Sequence, residues 1–241
     1  MKIPRITSLV AAIGLMVGTP AWALAYAAPS PAAHGAAAHP PARHVPALSP
    51  NVQRLLAWVK QSKDNRGAPF AVIDKRNARL LVFEPGGRLR GSAPVLLGLA
   101  KGDDTVPGIG ERQLSDIKPE ERTTPAGRFV AEHGTNARGE DVIWIDYDAA
   151  VSMHRVLTTN PKEHRLQRLA TPTVADNRVS YGCVNVPKAF FERAVLKTLN
   201  VQRPIVYVLP ETRPLGEVFA GMQVTRPTGI RTSSLQPPLT K

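Results

Sequence analysis

Arg178-Val-Ser-Tyr-Gly-Cys-Val-Asn-Val-Pro187 decides the reading of this chain, because it holds Cys183, the only cysteine in 241 residues. The chain opens with an export signal, and an oxidising compartment normally turns thiols into disulfides. A single thiol cannot form an intramolecular bridge, so it is either incidental or kept for its reactivity. Its neighbours favour reactivity. Gly182 frees the backbone to turn sharply, Ser180 and Asn185 supply polar groups, and Pro187 suits the first turn of a helix. A thiol just ahead of a helix N-terminus faces unpaired N–H groups and the positive end of the dipole, which favour thiolate. A buried structural cysteine is the alternative.

Upstream of this stretch the chain divides by composition. Residues 1–27 read as a secretory signal: Lys2 and Arg5 form the charged start, Ile6 to Gly18 is apolar, and small-residue sites follow Pro20. The apolar run is short of the roughly 20 residues that span a bilayer, and no later stretch is long enough. The mature chain is therefore expected in the periplasm or cell wall, with no transmembrane span. Residues 28–48 are Ala-, Pro- and His-rich and read as a linker. His34, His39 and His44 recur there but lack the acidic or thiol partners of a firm metal site. Formal net charge is +12, and loss of Lys2 and Arg5 leaves +10. Such basicity suits a polyanionic partner. Export argues against intracellular nucleic acid and leaves an acidic membrane face or the cell wall.

The segment 49–68 reads as a helix, with Ser49 as cap, Pro50 at its first position, and Val52, Leu55, Leu56 and Val59 on one face. Trp58 beside that stripe reads as core. From Pro69 the period changes to two. Phe70–Asp74, Leu80–Glu84, Leu89–Leu97, Arg128–Ala131, Val142–Asp146 and Ala150–His154 read as strands. Gly98 to Pro125 is a polar loop. After the Cys183 loop come a helix from Pro187 to Leu199 and a closing strand, Arg203–Leu209. Residues 210–241 read as a Pro-rich tail. About 160 residues suffice for one compact domain, placed at 69–209 with the helix ahead of it. The expected fold is mainly β, a mixed-sheet sandwich or barrel-like domain with a few short helices.

A cysteine nucleophile needs a base, and the base needs something to fix its tautomer. Three histidines lie between the linker and Cys183. His154 ends an apolar strand, where a rigid element would hold it. His164 lies in the charged stretch Asn160-Pro-Lys-Glu-His-Arg165, and His133 sits where a hairpin turn is expected. Context favours His154.

These residues resemble the L,D-transpeptidases, the YkuD-type enzymes that cross-link cell wall. Thr123-Thr-Pro-Ala-Gly-Arg-Phe129 is similar to the family's threonine–proline–x–glycine–x–phenylalanine segment. Ser180-Tyr-Gly-Cys-Val-Asn185 is similar to its serine–histidine–glycine–cysteine–apolar–asparagine signature, with Tyr181 where the family has histidine. The family's usual base-to-serine spacing fits His164, while strand context fits His154; an insertion in a polar loop is cheap, which keeps His154. The resemblance implies a Cys183 nucleophile, a His154 base oriented by the backbone carbonyl of Arg155, and an oxyanion pocket from the N–H groups of Tyr181, Gly182 and Cys183. Ser180 and Asn185 would shape the loop. It implies peptidoglycan tetrapeptide stems as donor and an amine as acceptor, whether a stem peptide, a lipoprotein lysine or a D-amino acid. No cofactor and no metal are required. A wall-peptide cysteine hydrolase and a non-catalytic wall-binding module of the same fold are the rival readings.

Overall fold

The computed structural model describes residues 47–224. The signal, nearly all of the linker with its three histidines, and residues 225–241 lie outside the described residues. Among those described, no helix is long and apolar enough to cross a membrane.

Helix α1 (Pro50–Ser62) starts where Ser49 accepts a hydrogen bond from the Val52 N–H, and it ends at Lys63, whose left-handed backbone closes onto the Val59 carbonyl. The strands β1 (Phe70–Asp74), β2 (Arg79–Phe83), β3 (Leu89–Pro94) and β5 (Gly127–Val130) join β11 (Ile205–Val208) in a five-stranded sheet ordered β3-β2-β1-β11-β5. The strand expected to close the chain is thus central in space: β11 pairs parallel to β1 and antiparallel to β5. Its run Ile-Val-Tyr-Val is buried throughout, as is every residue of β1. A period of two was expected there, but both faces of this sheet are covered, so apolar residues run continuously.

The second sheet is ordered β10-β8-β7-β6, from β6 (Glu132–Thr135), β7 (Asp141–Asp146), β8 (Val151–Arg155) and β10 (Val184–Val186). A short parallel pair, β4 (Leu97–Gly98) with β9 (Arg178–Ser180), leads into the Cys183 loop. The fold is mainly β with mixed sheets, as its class was expected to be. His133 lies within β6, not in a turn; the chain reverses at 136–139, where Gly139 donates to the Asn136 carbonyl.

The core between the sheets joins Ile73, Val82 and Val206 to Ile143, Met153 and Val184. One continuous helix, Lys188–Leu199, covers it with Phe191, Val195 and Leu199; we label its ends α3 (Lys188–Phe190) and α4 (Leu196–Leu199), with a π-helical stretch between them. A second cluster on the outer face of the larger sheet packs Phe70, Val72 and Tyr207 against α1. Trp58 belongs to it, edge-on to Tyr207 at 6.4 Å.

Two stretches, one read as charged and one as the start of a Pro-rich tail, are built into the body. In the polar region after β8, Arg165–Ala170 forms the short helix α2. Past residue 210, α5 (Leu215–Val218) seals the second cluster with Leu215 and Phe219. Asp103 anchors that crossing. It accepts hydrogen bonds from the N–H groups of Glu211, Thr212 and Arg213 and from Lys75 Nζ, which is fully buried at 2.8 Å. Burial alone would raise the Asp103 carboxyl, yet these donors hold it well below the usual carboxylate range.

Candidate active site

Strand pairing brings the site together. Val184-Asn-Val186 alternates as β10 and adds parallel to β8, which sets Asn185 beside His154. Val184 and Val186 point into the core with Met153 and Val151. Ser152, His154 and Asn185 therefore share the opposite face, with Cys183 at its entrance. The thiol was expected just ahead of a helix N-terminus. Instead β10 separates it from the helix, which begins only at Lys188, so the dipole is not its source of activation.

That source lies on β8. The Ser152 N–H donates to Cys183 Sγ at 3.5 Å, the Ser152 hydroxyl lies 3.8 Å away, and Sγ reaches the Ala150 carbonyl at 3.5 Å. The imidazole of His154 is near enough to act on the same sulfur. Burial pushes the thiol's pKa up, but the hydrogen bond and charge of His154, with the two Ser152 groups, outweigh burial and lower it below the ordinary thiol value. His154 Nδ1 lies 2.7 Å from the Arg155 carbonyl. A carbonyl can only accept, so Nδ1 carries the proton and Nε2 is left as the basic nitrogen. Arg155 itself is held on the helix side, by Glu192 at 3.2 Å and over the Phe191 ring.

The loop is fastened from within and from the Thr123–Phe129 segment. Ser180 Oγ donates to the Cys183 carbonyl at 2.6 Å and accepts from the Gly182 N–H at 3.1 Å. The Gly182 N–H, expected in the oxyanion pocket, is thereby spent on Ser180; no hydrogen bond of the loop engages the N–H of Tyr181 or Cys183. Gly182 has φ 130, and a Cβ there would lie 2.7 Å from the Thr123 carbonyl, so only glycine fits. Buried Thr124 accepts from the Gly98 N–H at 2.9 Å and donates to the Gly182 carbonyl at 2.8 Å. Tyr181 lies under the Arg122 guanidinium, 4.0 Å from its ring centroid.

Of the other histidines, His164 is exposed at the start of α2, with left-handed backbone. His133, on β6 at the far edge of the sheet from β10, lies 3.2 Å from Asp141 of β7. Among the described residues no three His, Cys, Asp or Glu side chains gather as metal ligands would. Sequence reasoning missed two residues. Ser152 was legible, since it lies two positions before His154 on one strand and so shares its face. Arg165, whose Nη1 donates to Asn185 Oδ1 at 2.6 Å, carried no signal in a stretch dense with charge.

No protein-family model matches the chain, and no curated protein matches it. Among solved structures it is similar to the helical cell shape determining protein Pgp2 of Campylobacter jejuni (K307A mutant), at 14% identity and TM-score 0.40, over 69% of this chain and 58% of that one. It is also similar to Bdellovibrio bacteriovorus Bd1075, at 13% identity and TM-score 0.36, over 64% of this chain and 53% of the other. A third is the catalytic domain of the Enterococcus faecium L,D-transpeptidase, at 18% identity and TM-score 0.33, over 59% of this chain and 98% of that domain. The chain thus spans little more than half the length of the first two. Each likeness is partial and at low identity, and the reading of the site rests on its own residues.

Proposed function

We propose that this protein is an exported L,D-transpeptidase of the periplasm or cell wall, acting on peptidoglycan stem peptides through a Cys183 thioester. The observation that supports it most is the union at one sheet edge of a lone thiol with lowered pKa, an imidazole near enough to act on it, and the Arg155 carbonyl on Nδ1. That is the arrangement a thiol nucleophile and its general base require.

In this reading His154 Nε2 takes the Cys183 proton, and the thiolate so formed attacks the carbonyl of the stem's third residue. The N–H groups of Tyr181 and Cys183 face the developing oxyanion. As the tetrahedral adduct collapses, the C–N bond breaks, and the His154 proton passes to the departing D-alanine amine. An incoming amine then attacks the thioester, gives its proton to His154, and releases the Cys183 thiolate. The acceptor is a neighbouring stem's diamino acid, a lipoprotein lysine or a free D-amino acid; water in its place makes the enzyme a carboxypeptidase. Neither cofactor nor metal takes part, and the partner is wall peptide rather than nucleic acid.

The test is incubation of purified protein with disaccharide-tetrapeptide, followed by chromatography and mass analysis. Release of D-alanine with a cross-linked dimer or amine-exchanged product is expected, or with tripeptide if water is the acceptor. Unchanged tetrapeptide at high enzyme concentration would refute the proposal and favour the non-catalytic wall-binding module.

A further inference from the structure

Asn185 is fully buried beside His154 in the ladder, and its side-chain oxygen is capped by a guanidinium from outside the two sheets. Arg165 reaches it from α2. Its Nη1 donates to Asn185 Oδ1 at 2.6 Å, and its Nε pairs with Glu163. The Asn185 Nδ2 in turn lies 3.4 Å from the Cys183 carbonyl. The guanidinium is therefore two hydrogen bonds from the backbone of the nucleophile and one from the strand neighbour of the base. Its side chain is only 11% exposed, and of its three nitrogens Nε and Nη1 are engaged, while Nη2 makes no hydrogen bond with any described residue. Two other arginines of the region are already engaged. Arg122 donates to the Ile117 carbonyl and lies on Tyr181, and Arg155 lies on the helix side with Glu192.

We propose that Arg165 binds the terminal carboxylate of the residue that leaves, and so restricts the enzyme to the last peptide bond of the stem. This rests on the function proposed above. The leaving amine must sit at His154, because His154 hands it the proton. A C-terminal amino acid carries its carboxylate on the carbon next to that amine. The side of His154 occupied by Asn185 is capped by Arg165, whose planar fork presents a second terminal nitrogen suited to a carboxylate. Asn185 holds the fork in place by its first nitrogen. A stem extended by another residue, or amidated at its end, offers no charge there.

The experiment compares kcat/KM for a tetrapeptide stem with a free C-terminal carboxylate and for the same stem as its C-terminal amide. Wild type should prefer the acid by roughly 10- to 100-fold, the worth of a hydrogen bond to a charged group. In Arg165→Gln the acid-over-amide ratio should collapse towards one, and Arg165→Lys should restore part of it. Melting temperature and the alkylation rate of Cys183 check that each variant keeps its fold and its dyad. If both substrates slow equally in Arg165→Gln, with the ratio unchanged, Arg165 only braces Asn185 and the proposal fails. A wild-type ratio near one overturns it as well, while the function stands on the turnover observed. Turnover of neither substrate by wild type would instead overturn the function, and this proposal with it.

Discussion

Thr124 is the joint between the Thr123–Phe129 segment and the Cys183 loop, and Thr124→Val removes that joint without changing its shape. The hydroxyl is fully buried and makes two hydrogen bonds, from the Gly98 N–H and to the Gly182 carbonyl. Valine keeps the volume and loses both. Water cannot replace them, because the backbones there are in contact: a Cβ on Gly98 would lie 2.3 Å from the Arg122 carbonyl. A stranded buried N–H costs about 1–3 kcal/mol, and the second bond contributes about 1 kcal/mol net, for a loss of about 2–4 kcal/mol. In a domain of this size each 1 kcal/mol moves the melting temperature by about 2–4 °C, so a fall of roughly 4–16 °C is expected. Release of the Gly182 carbonyl also lets the Cys183 loop drift, and on the proposed function a misplacement of about 1 Å can cost 10²-fold in rate. Thermal unfolding followed by circular dichroism reads the first effect, and the rate of acylation by a carbapenem reads the second. Thr124→Ser, which keeps the hydroxyl, should melt closer to wild type. If Thr124→Val melts within about 1 °C of wild type and acylates at the same rate, the joint does not exist as described.

Three further outcomes follow from the dyad. His154→Ala should lower the acylation rate by roughly 10²–10⁴-fold, the usual worth of a positioned base, with His164→Ala close to wild type; the reverse pattern would make His164 the base. Because the Cys183 pKa lies below that of an ordinary thiol, the thiolate is already dominant at a pH where free cysteine is mostly protonated. Alkylation by iodoacetamide should therefore reach its plateau at lower pH than for free cysteine, and His154→Ala should move the inflection up; a wild-type inflection at or above the free thiol's would contradict the assignment of cause. Tyr181→Phe keeps the ring beneath Arg122 and should retain most activity. If it is as inactive as a Cys183 mutant at unchanged melting temperature, the phenol hydroxyl takes part in the chemistry.

What the sequence carried, it carried through periodicity. Val184-Asn-Val186 and Val151-Ser-Met-His154 alternate cleanly, and that alternation sets Ser152, His154 and Asn185 on one face. Phe70–Asp74 was legible as a strand, but its burial on both faces depends on α1 lying across the sheet, which no local pattern records. The helix dipole was a wrong cause for the thiol: Pro187 does mark a helix start, but the strand that precedes it puts Cys183 out of reach. Charged residues were the least legible. Lys75, just past the Phe70–Asp74 strand, is fully buried against Asp103, 28 residues further on. Arg165 reads as solvated surface and caps Asn185. Long-range polar pairing leaves no period behind, so it appears only once the chain is folded.

The central claim is that Cys183 forms an acyl-enzyme. Intact-mass spectrometry after exposure to a carbapenem, for wild type and for Cys183→Ala, tests it most directly. A single covalent adduct on the wild-type protein, mapped to the peptide carrying Cys183 and absent from a folded Cys183→Ala, is the predicted result. No adduct on wild type, or an adduct and tetrapeptide turnover retained by Cys183→Ala, would contradict it.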